Sequence, residues 1–221
     1  MEKHPIDLSK WEYKEHFEFF NSLDNPFVGV TVQIDVTNLY REAKTNHASF
    51  FLYSLHKILK AVNETETFRY RIDNGIPVCY DLIHASATIA KEDGLFSFCF
   101  LEYDTNRGMF MRNAEKAMEK VRVQKGLGNT KDNCRNDLIH FSAIPWFSFT
   151  EMNHPGSFVK GNSIPKISTG KVYNREGKMI MPVSITAHHG FIDGKQIGLL
   201  LAKIDESMIH TPSNNNDSFI F

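Results

Sequence analysis

An Asp-Asn-Gly turn at 73–75 separates two short apolar segments, 68–72 and 77–82, and this spacing predicts a β-hairpin. A second turn signal at 174–177 predicts another hairpin near the end of the chain. Hairpins join antiparallel strands, and helices do not alternate strictly with strands here. The order therefore predicts an α+β fold, a two-layer sandwich in which a mixed, mostly antiparallel sheet carries its helices on one face.

Three longer segments, 50–62, 113–125 and 194–208, place apolar residues at helical spacing and are predicted as amphipathic helices. A short polar stretch at 213–217 is interpreted as the start of a tail. Domains usually take about 100–200 residues, so residues 1–221 are predicted to form one domain.

The net charge limits the classes of partner that are expected, because 25 basic and 26 acidic side chains leave a formal net charge of −1. A chain with no basic surplus is not expected to bind nucleic acid. No apolar segment approaches the length of a membrane span, and the charged N-terminus contains no apolar targeting region. Three scattered cysteines without CxxC spacing predict neither disulfides nor a zinc site. A cytoplasmic protein is therefore expected.

The segment 187–194, Ala-His-His-Gly-Phe-Ile-Asp-Gly, lies where a predicted strand gives way to a helix. An imidazole accepts a proton near neutral pH, which is what the acylation of a hydroxyl group requires. Asp193 precedes the helix, where a carboxylate caps backbone N–H groups. Adjacent strand residues point to opposite faces, so His188 and His189 are not expected to bind one metal ion together. The same pattern also fits a strand end followed by a helix cap without a catalytic role.

Ser142 ends another predicted strand, 138–143, and its hydroxyl group is placed to donate a hydrogen bond to an oxyanion. The Gly-x-Ser-x-Gly turn that presents a nucleophilic serine is absent, which disfavours a covalent role. An ordinary serine at a strand-to-turn junction is the alternative.

Six short motifs in this order resemble the chloramphenicol acetyltransferase family and extend over nearly the whole chain. They are Trp-Glu-Tyr-Lys-Glu-His-Phe at 11–17, Gln-Ile-Asp-Val-Thr at 33–37, Phe-Ser at 96–97, Ser-Ala-Ile-Pro-Trp at 142–146, Ser-Thr-Gly-Lys at 168–171, and His-His to Asp-Gly over 188–194.

The resemblance implies a CoA-dependent acyltransferase that transfers an acetyl group to a hydroxyl of chloramphenicol or a similar small molecule, and hence antibiotic resistance. It implies acetyl-CoA as co-substrate, no permanently bound cofactor and no covalent acyl-enzyme. It also implies a homotrimer whose active sites lie between subunits.

The resemblance further implies a role for each matching residue. The roles are general base for His189, oxyanion donor for Ser142, a structural role for Asp193, support of the transition state through water for Ser168, coenzyme binding for Trp146 and Lys171, and lining of the acceptor pocket for Phe20 and Phe96.

The chain departs from the family pattern at several positions. Tyr13 stands where the family has the arginine that pairs with the aspartate, so Asp193 is expected to bond the Tyr13 hydroxyl or to be reached by Lys14. Val172 replaces a tyrosine beside the coenzyme adenine, and polar residues within 23–28 replace an apolar part of the acceptor-pocket wall. A different small alcohol or amine acceptor, or a non-catalytic ligand-binding relative, therefore remains an alternative.

Overall fold

The computed structural model describes residues 2–155 and 161–209, so the predicted polar tail at 213–217 lies outside the described residues. The elements in chain order are β1 (Lys3–Pro5), α1 (Lys14–Asn21), β2 (Phe27–Asp35), α2 (Thr37–Thr45), α3 (Phe50–Glu64), β3 (Tyr70–Asp73), β4 (Ile76–Tyr80), β5 (His84–Ala90), β6 (Phe96–Leu101), α4 (Arg107–Val123), β7 (Leu138–Ala143), β8 (Lys166–Thr169), β9 (Tyr173–Arg175), β10 (Lys178–His188) and α5 (Gly194–Ile209).

The main sheet has the strand order β2-β10-β8-β7-β5-β6, with β9 also paired to β10. Strand β10 is antiparallel to β2, β8 and β9, and β5 is antiparallel to β6. The pairs β5/β7 and β7/β8 are parallel. A small separate sheet joins β1, β4 and β3. The predicted mixed, mostly antiparallel sheet is confirmed.

Helix α3 is the centre of the helical layer and contacts α2, α4 and α5. Its inward residues Leu55, Ile58, Leu59 and Val62 are fully buried, as their helical spacing predicts. Each such side chain contributes about 1.5–3 kcal/mol through its burial. Across the described ranges, no helix combines the length and the apolar character needed to span a bilayer.

The two faces of the main sheet have different compositions. Val183, Ile167 and Phe141 belong to the apolar core. The residues that alternate with them carry hydroxyl groups and lie side by side across five neighbouring strands. This hydroxyl row consists of Thr31, Ser184, Ser168, Ser142 and Thr88. Because strand side chains alternate between faces, the row lies on the face opposite the helices.

Both hairpin turns follow their prediction, since Asn74 and Gly75 have φ of 50° and 78° and Glu176 and Gly177 have φ of 53° and 84°. The single strand predicted over 167–173 is wrong, because β8 and β9 are separate strands. Between them, a Cβ on Gly170 would lie only 2.5 Å from the Pro182 side chain, so the chain passes too closely there for any other residue.

The helical layer differs from the prediction at two places. Helix α4 begins at Arg107 rather than at 113, because the Asn106 side chain accepts a hydrogen bond from Met109 N–H at 3.0 Å and caps it. Helix α2 was not predicted at all. It is largely polar and buries only Leu39 and Ala43, which gives too little periodic signal.

Candidate active site

His189 follows the end of β10 and is held by two backbone contacts. Its N–H donates to the Pro26 carbonyl at 2.7 Å, and its Nδ1 lies 3.1 Å from the Ile192 carbonyl oxygen. A carbonyl oxygen only accepts, so Nδ1 carries the proton of the neutral ring and Nε2 has the free lone pair. The Phe20 ring stacks on the imidazole with centroids 4.0 Å apart. His189 is thus oriented as a proton acceptor through Nε2.

His188 has a different environment from its neighbour. It is 1% exposed, lies against Phe17 and Phe191, and accepts a hydrogen bond at Nδ1 from Gly190 N–H at 3.1 Å. Burial lowers the pKa of His188 to about 4, so this ring is neutral at pH 7. Within residues 2–155 and 161–209, no group of three or more His, Cys, Asp or Glu side chains is arranged to hold a metal ion.

Asp193 caps α5, because its Oδ1 accepts the Gln196 N–H at 3.0 Å. The Gln196 side chain in turn donates to the Tyr13 hydroxyl at 3.1 Å. The Lys14 Nζ lies 3.9 Å from Glu18 Oε1 and does not reach Asp193. Among the described residues Asp193 has no cationic partner within 4.0 Å, and Gln196 connects it indirectly to Tyr13. The neutral hydrogen bond from Gln196 to Tyr13 therefore ties the start of α5 to the start of α1.

Ser142 lies in the middle of the hydroxyl row. Its Oγ is 2.9 Å from Thr88 Oγ1, and its backbone is in register with Ser168 on β8. Ser168 is 1% exposed, and its Oγ is 2.9 Å from His154 Nε2. The other ring nitrogen of His154 lies 2.8 Å from Thr186 Oγ1. Hydroxyl groups that are bonded on neighbouring strands fix the direction in which each O–H points.

His154 is the site residue that sequence reasoning missed. It lies in the loop before β8, where no periodic pattern or motif marks it. Burial lowers the pKa of His154 to about 4, with Lys166 acting in the same direction. The ring is therefore neutral at pH 7, donates from one nitrogen and accepts at the other.

The residues predicted to bind coenzyme lie just beyond the carboxyl ends of β7 and β8. Trp146 is 72% exposed, and Lys171 is exposed with its N–H bonded to the Phe147 carbonyl at 2.9 Å. The two predicted acceptor-pocket aromatics are not brought together within the chain. Phe20 stacks on His189, whereas Phe96 is half-exposed on the edge strand β6.

His189 and Ser142 are also far apart within one chain. Ser142 is in register with Ser168, Ser168 with Ser184, and His189 follows Ser184 by five residues along β10. Two strand spacings of about 4.8 Å and five residues of about 3.3 Å place their backbones roughly 19 Å apart. The two short side chains cannot reach one reacting group within a single chain.

The geometry can be compared with known proteins. A family model described as chloramphenicol acetyltransferase matches residues 1–205. A chloramphenicol acetyltransferase of Proteus mirabilis is 29% identical over 202 residues, covering 91% of this chain and 92% of the relative. One of Clostridium butyricum is 28% identical over 212 residues, covering 91% and 92%.

Solved structures also include a chloramphenicol acetyltransferase that is similar to this chain. A chloramphenicol acetyltransferase superposes with a TM-score of 0.87 and 32% identity, covering 94% of this chain and 100% of that one. A probable dihydrolipoamide acetyltransferase from Listeria monocytogenes superposes with a TM-score of 0.67 at 14% identity, covering 98% of each chain. The second likeness shows a shared fold alone.

Proposed function

This chain belongs to the chloramphenicol acetyltransferase family, and from that membership we propose that it transfers an acetyl group from acetyl-CoA to a hydroxyl of chloramphenicol or a similar small molecule. It is an acyl-CoA-dependent O-acetyltransferase, and antibiotic resistance follows from that activity. The observation that carries the proposal is the orientation of His189, whose Nδ1 is bound by the Ile192 carbonyl so that Nε2 is left to accept a proton.

In the proposed reaction, His189 Nε2 takes the proton of the acceptor hydroxyl as its oxygen bonds to the thioester carbonyl carbon. The Ser142 hydroxyl donates a hydrogen bond to the oxyanion of the tetrahedral intermediate. The intermediate collapses, the C–S bond breaks, and the coenzyme sulfur takes the proton from His189. The products are the acetyl ester and free coenzyme A, with His189 neutral again.

Two copies of the chain complete each site. His189 of one chain and Ser142 of the next form one active site, because the two residues lie roughly 19 Å apart within a single chain. Such a contact joins different surfaces of the two copies, and contacts of this kind generate a closed ring when the rotation between copies closes. The family resemblance implies a ring of three. We place the whole chain, 1–221, in each subunit as one domain and assign the assembly to the cytoplasm.

Acetyl-CoA is assigned to the end of the sheet where β7 and β8 finish. Trp146 offers an exposed aromatic surface and Lys171 a cation for a ligand that carries a flat base and phosphates. Ser168 adjoins Ser142 and is assigned to support the transition state through water, and Asp193 to order the turn that contains His189. Phe20 and Phe96 contribute to the acceptor pocket from different subunits.

Mixed assemblies of two inactive variants test this proposal. His189→Ala and Ser142→Ala chains are unfolded together, refolded as an equal mixture, and assayed for thiol release with acetyl-CoA and chloramphenicol. Random assembly gives one site in about four an intact His189 and an intact Ser142, so about a quarter of the wild-type rate is expected.

Each variant refolded alone is the control and stays inactive. A mixture no more active than its components contradicts the site between two chains, provided that both components form the same oligomer by light scattering. Inactivity of the refolded wild type with chloramphenicol contradicts that acceptor.

A further inference from the structure

A cavity of about 420 Å³ opens on the polar face of the sheet. It lies between the start of β2, the end of β10 and the loop before β8. Residues around it include Asn25, Phe27, Glu151, His154, Lys166 and Thr186. His154 connects the cavity to the hydroxyl row, because its ring is bonded to both Thr186 and Ser168.

Lys166 is a buried cation on the cavity wall. Its side chain is 7% exposed, and no described carboxylate lies within 4.0 Å of its ammonium group. Glu151 lines the same cavity but is beyond that distance. The Nζ instead lies 4.5 Å from the centroid of the Phe27 ring. A cation–π contact offsets only part of the cost of burying an ammonium group, so the group remains short of an anionic partner.

The neighbours of Lys166 supply no negative charge either. The ring of His154 is neutral and uses both nitrogens on hydroxyl groups, and Thr186 and Asn25 are uncharged. Burial lowers the pKa of Lys166, because desolvation disfavours the charged form of the ammonium group. An anion that enters the cavity would supply the missing partner.

The position of Lys166 assigns the cavity to the acceptor rather than to the coenzyme. On β8 it precedes Ser168, which is in register with Ser142, whereas Lys171 follows Ser168. Lys166 therefore lies on the side of Ser142 opposite the proposed coenzyme end. Asn25 and Phe27 also belong to 23–28, the stretch that corresponds by resemblance to the acceptor-pocket wall.

We propose that this cavity binds a carboxylate on the acceptor with Lys166 as counter-ion, so that the enzyme selects hydroxyl-bearing acceptors that carry an acidic group. A carboxylate matches a single ammonium group flanked by neutral donors, whereas a doubly charged phosphate would bring an excess negative charge near Glu151. This inference rests on the proposed function, since it uses the acceptor side of that site.

A pair of matched acceptors tests the proposal. The nitrophenyl aminopropanediol core of chloramphenicol is acylated on nitrogen with a succinyl group, which ends in a carboxylate, or with its neutral succinamide counterpart. Binding of each to the full chain is measured by isothermal titration, which does not depend on turnover. The wild type is expected to bind the acid about 10-fold or more tightly than the amide.

Lys166→Met keeps most of the length of the side chain and removes its charge, so the ratio of the two Kd values is expected to fall to about 1. Lys120→Met, which removes an exposed lysine on α4, is the control and keeps the wild-type ratio. Lys166→Gln serves in place of the methionine variant if that one does not fold.

Equal binding of acid and amide by the wild type overturns the proposal, as does a preference that survives in the Lys166 variant. Competition of the acid with acetyl-CoA rather than with chloramphenicol also overturns it, because Lys166 would then serve the coenzyme. Lys166-dependent binding of the acid without thiol release from any acceptor supports the cavity and contradicts the proposed function instead.

Discussion

His189 and Ser142 are held by different kinds of neighbour. His189 is fixed by the backbone of its own turn, through Ile192, and by the Pro26 carbonyl and the Phe20 ring at the start of the chain. The Ser142 hydroxyl group is held by the side chain of Thr88 on the neighbouring strand β5. The comparison teaches that the proposed proton acceptor is oriented mainly by carbonyl groups of the main chain, whereas the proposed oxyanion donor is oriented by a side-chain hydroxyl on the next strand.

The two regions also differ in what a substitution removes. The backbone hydrogen bond from His189 N–H to the Pro26 carbonyl persists when the side chain changes, so the chemistry can be removed while the turn stays folded. In the hydroxyl row, Ser142 and Thr88 share a hydrogen bond, so removal of the Ser142 hydroxyl also frees that of Thr88 to rotate.

The largest effect is expected at the His189 end. His189→Ala should lower kcat by about 10²–10⁴-fold, because general base catalysis contributes that much, and should leave the thermal midpoint close to the wild-type value. Thiol release with acetyl-CoA and chloramphenicol measures the rate, and a thermal melt measures the fold.

His4→Ala is the matched control, since His4 is an exposed histidine whose Nε2 lies 3.1 Å from Asp81 Oδ1 at the surface. It should leave the rate unchanged. A His189→Ala enzyme with near wild-type turnover would mean that the orientation of this imidazole has another purpose.

A smaller loss is expected at the hydroxyl row. Ser142→Ala should lower kcat by about 10²–10³-fold, because one oxyanion donor is lost, while KM for both substrates changes little. Steady-state kinetics in both substrates separate the two parameters.

Ser184→Ala is the control from the same row, two strands away, where the hydroxyl donates to the Met152 carbonyl at 3.2 Å. We expect it to alter stability more than rate. If both serine variants lose rate equally, the row acts as a structural unit and Ser142 has no special role.

The smallest effect is expected where α1 meets α5. Tyr13→Phe removes the hydroxyl that accepts from Gln196 and should lower the free energy of unfolding by about 0.5–1.5 kcal/mol. Denaturant unfolding measures it. Tyr173→Phe provides the comparison, because its hydroxyl has only a long contact of 3.4 Å with Gln33, and it should cost less. Equal losses would show that the Tyr13 bond does not replace the ion pair of the family.

The sequence predicted much of the fold because its signals are local. The Asp-Asn-Gly turn gave the β3/β4 hairpin, since its residues adopt positive φ without help from distant residues. Helix α3 was predicted from its apolar stripe, whereas α2 was missed because it buries only two side chains. The break between β8 and β9 depends on the close approach of Pro182 to Gly170, which no local pattern records.

The candidate site also contains residues that local sequence signals predicted and a residue that depends on strand pairing. His189 and Asp193 were predicted as site residues because they share one short motif, and Ser142 because it ends a strand; their roles stay predictions. His154 carries no signal, since its partners Ser168 and Thr186 become neighbours only when β8 and β10 pair in register. The expected direct bond between Asp193 and Tyr13 was wrong. The two residues are connected through Gln196, whose N–H donates to Asp193 and whose side chain donates to the Tyr13 hydroxyl.

By itself, the sequence determined the family and the α+β class, because contiguous motifs and periodic apolar residues specify them, and it predicted His189 as the base. Only the tertiary structure decided that His189 and Ser142 lie roughly 19 Å apart in one chain, and that Lys166 faces a cavity without an anionic partner among the described residues. Strand register and burial are set by long-range pairing, so distances and buried charges follow from packing rather than from local pattern.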